Sequence, residues 1–395
     1  MVLSNLAGVA VDFLYLALAQ IFSNPDIADL TNARWINIAT CLVFMVGACY
    51  ISYRGMETTK AVQYVLVAFQ LIVLVWFAIA AIAHFSNGTA FDALPFDPNW
   101  FNPFAVSSFS AFAAGVSLSI FIFWGWDVTL TMNEETKNPQ TTPGRAATLT
   151  VGIIFLLYIL VAIATLMFSG IGTGEFGLGN EDISGNVFAA LAGPVMGPFA
   201  ILLSLAVLSS SAASLQSTFV GPARTMLAMG HYGAFPRRFA TISPTFTSPG
   251  FATIIAAVVA WGFYAVMRVL STDVLTDTIL TLGMMICFYY GVTALACVWY
   301  FRSEVLSSAR SFLLKFLAPF VGGVILAVIF VTTLIDSMNP DYGSGSNIGG
   351  VGLVFLLAVF LLVVGVVLMF VMRAANPAFF RGETLRMGTS KDAQR

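Results

Sequence analysis

Along this chain, long apolar stretches alternate with short polar ones, and the stretches set the architecture. Ten of them fall at approximately 2–22, 35–53, 61–84, 106–132, 145–168, 192–219, 249–268, 274–300, 312–335 and 349–372. An α-helix needs about 20 apolar residues to cross the hydrocarbon core of a bilayer, and the runs are of that order. A water-soluble bundle of buried helices does not accommodate ten of them. The pattern therefore predicts an all-α polytopic membrane protein with ten transmembrane helices and a mobile polar tail over 373–395. Between runs, 84–104 is rich in aromatics, Pro, Asn and Asp, which suits headgroup depth. The stretch 224–246 reads as a loop containing a second amphipathic segment. There is no tandem repeat, low-complexity block or separate extramembrane domain.

Composition strengthens this reading. Only 9% of the residues are charged and 59% are hydrophobic, whereas soluble domains carry about 25% charged residues. The net charge of −2 gives no reason to expect a nucleic acid partner; the expected surroundings are the lipid bilayer.

The placement of charge orients the chain. Lys and Arg collect in alternate loops: Arg54 and Lys60; Lys137 and Arg145; Arg224, Arg237 and Arg238; Arg302, Arg310 and Lys315; then five more beyond 372. That makes fifteen on one side, against Arg34 and Arg268 on the other. The positive-inside rule predicts that the rich side, with both termini, is cytoplasmic in a multi-pass cell-membrane protein. The first run starts at Val2 with no basic flank, and at about 21 residues it is longer than the core of a cleavable signal.

Cys41, Cys49, Cys287 and Cys297 lie inside predicted spans without CxxC spacing, and His84 and His231 are the only histidines. No metal, cofactor or disulfide framework is expected. HExxH, GxSxG and P-loop patterns are missing, so neither an enzyme nor a built-in ATPase is expected.

An ionisable group within a span is expensive and is by default a functional candidate. Asp127 follows Phe121-Ile122-Phe123-Trp124-Gly125-Trp126. Glycine among bulky aromatics, followed by a carboxylate, suggests a helix interrupted near the midplane, with freed backbone groups facing a cavity. The alternative is a glycine that lets two helices pack closely. Asp12, in the first run, either lines the same cavity or reaches water. On the sixth run Ser210, Ser214, Ser217 and Thr218 share a helical face, which suits either coordination of polar substrate atoms or hydroxyl packing.

The segment from Phe123 to Pro139, with Asp127, Glu134 and Glu135 in its DVTLTMNEETKNP portion, resembles the sixth helix and following loop of amino acid–polyamine–organocation permeases. Ser214-Leu215-Gln216 through Arg224 to Pro236 resembles that family's eighth helix, and Gly55-Met56-Glu57 through Gln63 resembles the entry to its fifth. The resemblance implies a twelve-helix inverted-repeat fold, with the ten runs standing for helices three to twelve. Residues 1–84 would then be the remainder of the first repeat, 106–300 the second, and 312–372 two additional helices. A late start or a truncated form is expected from the missing first two helices. The resemblance implies substrate-facing roles for Phe121, Phe123, Trp124, Gly125, Ser214 and Thr218, and gating or proton coupling at Asp127. Gln70 stands where some proton-coupled relatives carry a lysine. Glu134, Glu135 and Arg224 are implied to form a network at the cytoplasmic end.

The expected function is secondary active transport of a small-molecule substrate, an amino acid, by alternating access, proton-coupled or as an exchanger. A polyamine or organic cation carrier using Asp12 and Asp127, and a truncated non-transporting pseudo-permease acting as sensor or partner subunit, are the alternatives.

Overall fold

The computed structural model describes residues 1–54, 60–126, 128, 136–180, 183, 186–271 and 273–384. Twelve helices organise them: α1 (Val2–Phe22), α2 (Arg34–Arg54), α3 (Lys60–Ser86), α4 (Phe109–Ile122), α5 (Thr142–Ser169), α6 (Val187–Met196), α7 (Ala200–Thr218), α8 (Val220–His231), α9 (Gly250–Leu270), α10 (Val274–Tyr300), α11 (Ala318–Asp336) and α12 (Leu353–Ala375). Among the described residues, nine helical stretches are long and apolar enough to cross a bilayer, and α4 is a shorter apolar helix. The chain is an all-α, multi-pass membrane protein. Its only described strands are Asn347–Ile348 and Val351–Gly352, paired as a small antiparallel hairpin.

Helix α1 forms the centre. Its apolar window is 61% buried, against 17% for α12 at the rim. Ala7, Gly8, Ala10 and Ala17 keep its surface thin, and small residues let helix axes approach where apolar attraction is matched by lipid. At Gly8 an added Cβ would lie 3.1 Å from the Tyr264 ring. Helix α1 packs chiefly on α7, and also on α2 and α9. Val11, Met45, Leu215 and Phe219 close that core. A second core, including Phe77, Phe168, Leu191 and Leu203, joins α3, α5, α6 and α7. Outward residues such as Val43, Leu156 and Val258 are exposed and form a lipid-facing surface. Helices α4 and α10 are in close contact at Gly283, where a Cβ would fall 2.5 Å from Ser117 Oγ.

Several run boundaries need correction. The expected continuous run 106–132 is helical only from Phe109 to Ile122 before it turns. The run 192–219 is divided: α6 ends at Met196, and Gly197–Phe199 makes a 3-10 turn before α7. Gly197 has φ 55° and Pro198 lacks an N–H, so neither continues an α-helix well. The supposed loop 224–246 is helical up to His231, with a 3-10 turn at Arg237–Ala240. The run at 312 begins earlier, through Ala309–Phe312 and a π segment at Leu313–Leu317.

Candidate functional site

Helix α4 opens with Ser108 Oγ accepting from Ala111 N at 3.1 Å, an N-cap. Its 14 residues span about 21 Å, short of a hydrocarbon core of about 30 Å. The chain then tightens: Phe123 N donates to Ser119 O at 3.1 Å and Trp124 N to Phe121 O at 3.0 Å. Gly125 takes φ +106°, a conformation only glycine adopts readily, and Val128 N donates back to Gly125 O at 3.2 Å. Tyr158, on α5, donates its hydroxyl to Ile122 O at 2.9 Å and so satisfies a carbonyl that the break frees.

A cavity of about 270 Å³ opens at this turn, lined by Phe123, Trp124, Gly125 and Trp126 from one side and Thr150, Ile154 and Tyr158 from α5. A Cβ on Gly125 would meet nothing within 4 Å, so backbone there borders open space. Phe123 meets the Tyr158 ring edge-on at 5.3 Å. Trp124 Nε1 donates to the Tyr289 hydroxyl of α10, and Trp126 lies 6.0 Å from the Tyr290 ring. The arrangement is an aromatic cup around exposed backbone, able to enclose an apolar group beside freed polar ones.

The structure thus brings Phe123, Trp124 and Gly125 together. Phe121 is half-buried and contributes its carbonyl to the turn. Asp127, Glu134 and Glu135 lie outside the described residues. Ser214 and Thr218 sit half-buried on α7; the Ser214 carbonyl accepts from Ser217 Oγ at 3.1 Å, a local back-bond. The start of α8 does approach the broken segment, since a Cβ on Gly221 would lie 3.8 Å from Val128 Cγ2. Arg224 is half-buried on α8 and Gln70 half-buried on α3. Asp12 is not at the α4 turn. Its carboxylate accepts from Thr31 Oγ1, and it lines a separate polar cavity with Tyr264 and Arg268.

Two polar groups escaped the reading of the sequence. Gln63 Nε2 donates to Gln216 Oε1 at 2.9 Å and Ala213 O at 3.3 Å, while Ser52 Oγ donates to Gln216 O at 2.9 Å, tying α2, α3 and α7. Asp277, fully buried in the first turn of α10, accepts from Ser271 Oγ at 2.6 Å, Ser344 N at 3.0 Å and Ser344 Oγ at 2.7 Å. A Cβ at Gly343 would fall 2.7 Å from its Oδ1, so the loop before α12 can close on the carboxylate only through glycine. A second acidic residue four positions after Asp273, inside a predicted span, was the available signal.

Comparison with known proteins agrees with this architecture. The chain is 27% identical over 216 residues to the branched-chain amino acid permease BcaP of Bacillus subtilis, covering 53% of this chain and 42% of that protein. It is 26% identical over 223 residues to an uncharacterized transporter of Mycobacterium tuberculosis, covering 56% of this chain and 47% of the relative. The matched portion thus spans about half the length of these relatives or less. A family described as amino acid permease matches residues 1–374, almost the whole sequence. This chain belongs to the amino acid permease family.

Proposed function

We propose that this chain is the membrane body of a secondary transporter that carries a small amino acid by alternating access. The observation that carries the reading is the interruption of α4 at Ile122, with Gly125 at φ +106° facing an aromatic cavity of about 270 Å³. Freed backbone groups supply partners for a charged ligand that must shed water, and flanking rings exclude solvent around an apolar side chain. The name of the Bacillus subtilis relative supports a branched-chain side chain as the apolar part. Pairing of α1 with α7 and of α2 with α9 supports the inverted repeat, because helices five apart in the implied register pack together. The charge asymmetry supports cytoplasmic termini.

The test is uptake of labelled leucine into proteoliposomes, under an imposed proton gradient and with internal leucine for exchange. Uptake that Gly125→Leu abolishes upholds the reading. Uptake indifferent to that substitution places the substrate elsewhere, and binding of a polyamine in preference to leucine favours an organic cation carrier.

A further inference from the structure

A second cavity, of about 110 Å³, lies between α1, α9 and the start of α10, where Asn5, Asp12, Tyr264, Arg268 and Asp273 meet. Its chemistry is unlike that of the α4 cup. Arg268 donates Nη2 to Thr31 O at 3.1 Å, but its Nε has no partner among the described residues. Asn5 is 6% exposed, and its Nδ2 is likewise without a partner, while its Oδ1 accepts from Thr278 Oγ1 at 2.6 Å. A buried donor left unmatched is costly, so two of them beside one cavity ask for an acceptor.

The same cavity also carries acceptors. Asp12 uses one oxygen on Thr31, and no hydrogen bond among the described residues occupies the other. Asp273 caps α10, its Oδ1 accepting from Thr276 N at 3.1 Å and its Oδ2 from Thr276 Oγ1 at 2.5 Å, and each oxygen keeps a second lone pair for a ligand. A lone anion would answer the donors and be repelled by the carboxylates. A metal cation would suit the carboxylates and leave the donors unmatched. A small zwitterion satisfies both sets.

We propose that this cavity is a binding site for a small zwitterion, with its acidic end on Arg268 and Asn5 and its ammonium on Asp12 and Asp273. At about 110 Å³ the cavity is small, which favours a compact zwitterion such as glycine. The site is separate from the α4 cup and does not depend on the transport reading. A free amino acid and a phosphoethanolamine headgroup share the chemistry.

Equilibrium dialysis of the purified full chain, carrying Gly125→Leu to silence the α4 cup, tests the site with labelled glycine. Saturable glycine binding is expected, weakened about tenfold or more by Arg268→Gln, which removes charge-assisted hydrogen bonds. Asp12→Asn, which keeps an acceptor for Thr31, is expected to weaken it as well, and thermal melting shows that both variants are folded. Competition by O-phosphorylethanolamine more strongly than by glycine assigns the site to a lipid headgroup source; the reverse assigns it to free amino acids. Acetate or methylamine binding as tightly as glycine overturns the proposal, as does no saturable binding, which would make the cavity a water pocket. Uptake measurements on the α4 variant bear on transport alone.

Discussion

Gln63 of α3 and Gln216 of α7, 153 residues apart in sequence, meet side chain to side chain at 2.9 Å. Gln216 is 6% exposed, and its carbonyl also holds Ser52 of α2. Gln63→Leu strands the Gln216 side-chain oxygen, at a cost of about 1–3 kcal/mol, whereas Gln216→Leu leaves Gln63 only its longer bond to Ala213 O at 3.3 Å. Thermal melting in detergent should show each single variant destabilised and the Gln63→Leu, Gln216→Leu pair less so than the sum. Additive losses would mean that the two amides act independently.

At Gly125 the cost of a side chain separates into backbone and packing parts. A Cβ meets nothing within 4 Å, yet φ is +106°. Gly125→Ala should therefore lose about 1–3 kcal/mol through backbone strain alone, and Gly125→Leu should lose little more while filling the cup. A leucine variant much less stable than the alanine one would identify a packed seam in place of a cavity.

Asp277 predicts a loop anchor. Asp277→Ala removes the acceptor shared by the Ser271 hydroxyl and by the Ser344 N–H and hydroxyl, and the melting temperature should fall by the equivalent of at least about 2 kcal/mol. Ser344→Ala, which removes one hydroxyl, should cost about 1 kcal/mol. Equal losses from the two variants would contradict this division.

Orientation is tested by labelling from outside the cell. Gly177 is a poor probe site, because a Cβ there would fall 2.2 Å from Gly172 O. Glu175 is exposed in the same loop and Thr141 is exposed at the start of α5. With the four native cysteines replaced, Glu175→Cys should react with an impermeant thiol reagent and Thr141→Cys should not. The opposite pattern would invert the topology.

The membrane fold was legible because span length and apolarity are local properties. Helices α1 and α10 have the bounds read from the sequence. The interruption of α4 was legible only through Gly125 and its aromatic neighbours, since hydropathy continues unbroken across Ile122 and Phe123. The division at Gly197-Pro198 was missed because the flanking residues are equally apolar. Gln63–Gln216, and the meeting of Asp12 with Arg268, depend on how distant helices pack, which no local pattern carries. On α7, Ser217 bonds Ser214 O at 3.1 Å, so part of the Ser210, Ser214, Ser217 and Thr218 stripe turns back on its own helix.

The early end of α4 also has an electrostatic consequence. A helix carries about half an elementary negative charge at its C-terminus, spread over the carbonyls of its last turn. Because α4 is only about 21 Å long, that partial charge is delivered to the rim of the aromatic cup and not to the far end of a full-length span. The turn at Phe123–Trp126 therefore holds a fixed negative potential that needs no ionised side chain and does not vary with pH. Under the proposed function, a zwitterion entering there would be drawn in ammonium end first, with its opposite end compensated farther away. The sign of the potential at the cup is thus written into where one helix stops.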